Sequence, residues 1–156
     1  MPWPRPIANH QARLGKALMM TDHQYTIQKL YASAEAATLD INTFLSCFGK
    51  DGYARNVPAQ MDFRGSEIAL VASGMAKAFP DIHREIFSID VSGDTVVVEL
   101  AIRGTHRGTL MTPTGPLAAT GKVIDVPCGD VFRMKDGKVA AFHCYNAFSI
   151  MQQQLN

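Results

Sequence analysis

Apolar residues recur at helical spacing through the first half of the chain and alternate with polar ones through the second. Ile27, Leu30, Tyr31 and Ala34 lie on one side of a 3.6-residue repeat, and Thr21 with Gln24 three positions later forms a capping box ahead of them. This predicts a first helix from Thr21 to about Thr38. Asp40 caps a second, shorter helix with Phe44, Leu45 and Phe48 inward, which Gly-Lys-Asp-Gly at 49–52 ends. A short strand over Tyr53 to Asn56 follows. A third helix begins near Ser66, gathers Ile68, Val71, Ala72, Met75 and Phe79 on one side and stops at Pro80.

Beyond Pro80 the period is two. Phe87, Ile89 and Val91 alternate with Ser88 and Asp90, Ser-Gly-Asp turns the chain, and Val96, Val98, Leu100 and Ile102 return along one face. A third long strand spans about Lys122 to Met134. The Asp-Gly-Lys turn at 136–138 feeds a fourth, Val139 to Asn146, and a final helix covers Ala147 to Leu155. Helices first and hairpin-linked strands second predict an α+β fold, with helices over one face of an antiparallel sheet. Residues 1–20 hold three prolines and no clear period, so they are expected to form a flexible arm outside a single domain over 21–156.

Composition narrows the partners. At 156 residues the chain can bury a substantial core, and 15 lysines and arginines against 14 acids give a net charge of +1, too little to attract nucleic acid or anionic lipid. No apolar run reaches the ~20 residues that span a bilayer. Cys47, Cys128 and Cys144 are odd in number and widely spaced, which argues against a disulfide framework or a zinc site and fits a reducing cytoplasm. The sequence has no glycine-rich phosphate loop, no nucleophile elbow and no metal-ligand spacing of histidines. The expectation is therefore proton transfer or binding in an apolar pocket, without cofactor or metal.

Candidate chemistry stands where polar groups interrupt the apolar rows. In Ile124, Val126, Cys128, Asp130, Phe132 and Met134 a single carboxylate occupies the inward row, unless Pro127 or Gly129 bulges the strand and turns Asp130 out. Burial would make it a usable acid or base near neutrality. His106 continues the row of Val96 to Ile102 through Gly104. The last strand ends His143, Cys144, Tyr145, Asn146, with Phe142, Cys144 and Asn146 on one face and His143 and Tyr145 on the other; periodicity leaves open which face is inward. Cys144 reads more readily as a small core residue than as a nucleophile. Asp130, His106 and His143 are the candidate catalytic residues. Tyr53, Asn56, Phe132, Phe142, Cys144 and Asn146 are the candidate ligand contacts.

AFPDI at 78–82, RGTHRGTL at 103–110, PTG at 113–115, DVFRMKDGKV at 130–139 and QQL at 153–155 together resemble the SnoaL-like polyketide cyclases of the nuclear-transport-factor-2-like superfamily, over residues 25–156. The resemblance implies a curved antiparallel sheet wrapped by three helices into a cone that encloses a ligand pocket, usually in a homodimer formed through the sheets. An outer face bearing Val97, Ala101, Val131 and Val139 agrees with such a dimer. In the cyclases it resembles, an acid on the last strand closes a ring by cofactor-free aldol chemistry, assisted by a histidine one strand earlier. Those two positions correspond here, within a residue, to Cys144 and Asp130. Two functions follow. In one, Asp130 with His106 or His143 enolises, isomerises or cyclises a small hydrophobic carbonyl compound; in the other, the cone binds a hydrophobic molecule or acts as a dimeric scaffold without turnover.

Overall fold

The computed structural model describes residues 21–156; the arm expected over residues 1–20 lies outside the described residues. Helix α1 runs Asp22–Ala34, with the Thr21 hydroxyl accepting from the Gln24 N–H at 3.1 Å, and buries Ile27, Leu30, Tyr31 and Ala34. It ends short of Thr38 because Glu35 is extended and a 3-10 turn, Ala36–Thr38, follows. The Glu35 carboxylate instead accepts from the backbone N–H of Arg84, tying the helix end to the sheet. Helix α2, Ile41–Ser46, is capped by Asp40, whose carboxylate takes the N–H and hydroxyl of Thr43.

Strand β1, Phe48–Asn56, begins where the second helix was expected to continue and passes through Gly-Lys-Asp-Gly. Gly52 makes this possible: a Cβ there would stand 2.5 Å from the Val139 carbonyl. A short strand β2, Met61–Arg64, folds back on β1, and a 3-10 turn at Gly65–Ile68 leads into α3, Ala69–Ala78.

Strands β3, His83–Ser92, and β4, Thr95–Thr105, form the expected hairpin, but Phe87 is its bulge. The inward row of β3 is therefore Ile86, Ile89 and Val91, each packed on the core. After a small hairpin of β5, Leu110–Thr112, and β6, Gly115–Leu117, come β7, Val123–Lys135, β8, Lys138–Asn146, and α4, Phe148–Leu155. The main sheet has the order β2-β1-β8-β7-β4-β3, antiparallel except that β1 runs parallel to β8. Among the described residues α1, α2 and α3 come before strands β3 to β8, and α4 follows them.

The pairing of β4 with β7 is continuous from Thr95–Arg133 to Thr105–Val123, so neither Pro127 nor Gly129 bulges. All of Ile124, Val126, Cys128, Asp130, Phe132 and Met134 point inward and are buried. On the other face, Val97 is 42% exposed, Val123 68% and Tyr145 50%, whereas Ala101 is buried and Val139 is wholly buried. A register shift between Arg133 and Met134, beside Val139, turns Val139 into the core rather than onto the outer face.

Candidate functional site

Between α1, α3 and the inner faces of β1, β4, β7 and β8 lies a cavity of about 420 Å³. Leu30, Phe63, Val71, Met75, Leu100 and Phe142 make its walls chiefly apolar, and Asp130, Tyr31, Asn56, Asn146, Cys144 and Arg84 bring polar atoms to it. A smaller hollow of about 230 Å³ between the β5–β6 hairpin and α4 holds no titratable side chain.

Asp130 is 2% exposed. The Tyr31 hydroxyl donates to its Oδ2 at 2.5 Å, and the Cys128 thiol donates to its Oδ1 at 3.3 Å. Burial pushes the Asp130 carboxyl above the usual carboxylate range, and the hydrogen bonds from Tyr31 and Cys128 oppose that shift without cancelling it. Burial, reinforced by the negative carboxylate beside it, likewise holds the Tyr31 phenol well above its ordinary value. The Cys128 thiol is raised by its hydrogen bond to Cys144 and by burial, so it is a donor here and not a thiolate.

Tyr31 is held by packing as well as by this bond. Its ring meets Phe132 edge to face at 6.1 Å, and Phe132 stacks on Phe142 at 4.5 Å. Two aromatic rings from β7 and β8 thus brace the phenol that reaches the acid. Beside it, the Asn146 amide donates to the Asn56 Oδ1 at 3.3 Å, leaving the Asn56 amide N–H groups as donors for a ligand. Arg84 reaches the cavity from β3, anchored by the Ala34 carbonyl at 2.8 Å and by Glu35.

The inward face of β8 is the one carrying Phe142, Cys144 and Asn146, all of which line the cavity together with Asn56 and Asp130. Phe132 packs behind the wall. Tyr53 and His143 lie on the opposite face of the sheet, joined to each other at 2.8 Å, with the Arg64 guanidinium 4.5 Å over the Tyr53 ring. His106 is also apart. It is wholly buried against Phe79 near the end of β4, where its Nδ1 accepts from the Thr120 N–H at 3.2 Å. Eight residues separate it from Val98, the partner of Asp130, which is roughly 25 Å along a strand.

Among the described residues no histidine is brought to Asp130. Its partner is Tyr31, which the helical pattern marks only as a core position. The signal for it was its phenol: a buried Tyr hydroxyl takes a hydrogen-bond partner, and Asp130 was the one acid in the inward rows.

A sequence model of the SnoaL-like polyketide cyclases matches residues 25–154. Among curated proteins, no sequence matches significantly. Similar solved structures include a candidate SnoaL-like polyketide cyclase from Jannaschia sp. CCS1, 17% identical with a TM-score of 0.76, covering 90% of this chain and 95% of that one. IdmH from Streptomyces antibioticus, a candidate polyketide cyclase, is 22% identical with a TM-score of 0.69, covering 86% and 99%. A protein of ketosteroid isomerase-like fold from Catenulispora acidiphila, solved with trimethylamine, is 16% identical with a TM-score of 0.69, covering 83% and 90%.

Proposed function

Because the chain belongs to the SnoaL-like polyketide cyclase family, we propose that its cavity takes a small, largely apolar carbonyl compound and that Asp130 moves a proton at the carbon beside the carbonyl. Enolisation, isomerisation and intramolecular ring closure share that step. The observation that carries this reading is the 2.5 Å bond from Tyr31 to Asp130 in the wall of an apolar cavity. Burial disfavours the charged form of this acid and so favours its taking up a proton, and Tyr31 is its positioning residue, fixing Oδ2 and the carboxyl plane. The Asn56 amide offers N–H donors in the same cavity for the oxygen on which charge develops. His106 and His143 take no part.

A second reading has its own support: both Asp130 oxygens already have donors, as in a satisfied buried acid of a protein that only binds. A panel of bicyclic ketones separates the two. Each is tested for displacement of a fluorescent apolar dye and for exchange of its α-protons into heavy water by NMR. Displacement with accelerated exchange supports proton transfer; displacement with no exchange supports binding alone.

A further inference from the structure

The cavity wall holds a second chemistry that the proton-transfer reading does not use. Cys128 and Cys144 stand 16 positions apart in sequence, yet the pairing of β7 with β8 brings their sulfurs to 3.6 Å. Cys128 Sγ is also 3.3 Å from Asp130 Oδ1, and one ligand atom from each of the three residues lies within 4.8 Å of the others. We propose that Cys128, Cys144 and Asp130 form a binding site for a thiolate-seeking divalent ion of the zinc class.

The spacing fits an ion better than it fits a bond. Zinc at ~2.3 Å from sulfur and ~2.0 Å from oxygen, in tetrahedral array, sets two sulfurs ~3.8 Å apart and sulfur from oxygen ~3.5 Å apart. The sulfurs here need to move little to reach that arrangement. A disulfide needs ~2.05 Å between sulfurs and Cα atoms within ~6.8 Å. Cys128 faces Asn146 and Cys144 faces Asp130, so the two cysteines are diagonal neighbours, a relation in which Cα atoms are typically ~7 to 8 Å apart.

The surrounding groups suit a ligand set. Tyr31 holds Oδ2 and leaves Oδ1 on the sulfur side, as an outer partner of a metal-bound carboxylate does. The Asn146 amide reaches Cys144 Sγ at 3.5 Å, a donor for a thiolate. Cys144 and Asp130 line the cavity, which gives the ion an entry path and a fourth position for water. Binding exchanges the two thiol protons for the ion, which leaves the site with two thiolates, and it takes Oδ1 out of proton transfer. Ion binding at these three residues requires neither a substrate nor proton transfer by Asp130.

The reduced, chelator-stripped full chain is titrated with Cd²⁺ and with Co²⁺, following thiolate-to-metal charge-transfer absorption and the thermal midpoint. The expected result is a band that saturates at one equivalent, with the midpoint rising as free ion rises. Cys128→Ser and Cys144→Ser should each abolish the band, Asp130→Asn should weaken binding by at least about 10-fold, and Cys47→Ser should leave the band unchanged. If Cys128→Ser fails to fold, Cys144→Ser decides, since Cys144 is only partly buried. No band at one equivalent, a band that persists in Cys144→Ser, or an internal disulfide forming in air in place of ion binding would overturn the proposal.

Discussion

Asp130 on β7 and Cys144 on β8 are direct cross-strand partners, both facing the cavity. The resemblance implies that the cyclases carry, within a residue of these two positions, an assisting histidine at the first and an acid at the second. Here the acid stands one strand earlier, a thiol occupies the other position, and the group that orients the acid comes from α1.

Tyr31→Phe and Asp130→Asn should part company in stability. Removing the phenol leaves the buried Oδ2 of Asp130 without its donor and should cost about 1 to 3 kcal/mol. The amide of Asn at 130 keeps an acceptor for Tyr31 and offers N–H to the sulfurs, so its stability should stay within about 1 kcal/mol of the parent. Urea unfolding of both variants reads this; equal and large losses would mean that Asp130 is a structural anchor.

Filling the cavity from α3 should weaken binding without harming the fold. Gly74 lines the cavity on α3, and a Cβ added there meets nothing within 4 Å. Gly74→Leu should raise stability by about 0.5 to 1 kcal/mol by removing a glycine from a helix interior. It should also weaken ketone binding at least about 10-fold, measured by dye displacement. Unchanged binding would place the ligand elsewhere.

Much of this was legible in the sequence, and the reasons for what was not are physical. The inward row of β7 follows directly from alternation, so Asp130 stood out. The second half of β1, Tyr53 to Asn56, was legible too, but its first half was not, because Gly-Lys-Asp-Gly has the composition of a turn, and only the close approach of Gly52 to Val139 shows why glycines belong inside a strand. Alternation puts Phe87 in one row with Ile89 and Val91, because a bulge shifts that row by one residue without any mark in the local pattern. The pairing of Asp130 with Tyr31, and of Cys128 with Cys144, depends on which elements are neighbours. Periodicity gives the face of each residue but not what lies across from it.

The acid limb of stability should involve Asp81. Its carboxylate takes the N–H and the hydroxyl of Thr105, each at 2.7 Å, and the backbone bond holds its pKa below the usual value. A depressed folded-state pKa stabilises fully above the unfolded value and loses that contribution as pH falls through the folded one. Urea midpoints should therefore drop from about pH 4 downward, and Asp81→Asn should flatten that drop. An unchanged pH slope in the variant would assign the acid limb to other carboxylates.

The outer sheet face should pair two copies. Val97 and Tyr145 are exposed on the outer face of β4 and β8, and the resemblance implies a dimer through the sheets. Sedimentation at micromolar concentration should give a dimer, and Val97→Glu should shift it to monomer. A monomeric parent chain would contradict this.

The proton transfer proposed for Asp130, to and from a carbonyl compound held in the cavity, can be followed directly. Its most direct measurement is the rate of α-proton exchange into heavy water for one bound bicyclic ketone, compared between the parent chain and Asp130→Asn at matched saturation. Exchange should run well above the buffer rate in the parent and fall on the order of 10² to 10⁴-fold in Asp130→Asn, with ketone affinity within about 3-fold of the parent. Equal exchange in the two proteins, with both folded and both binding the ketone, would contradict it.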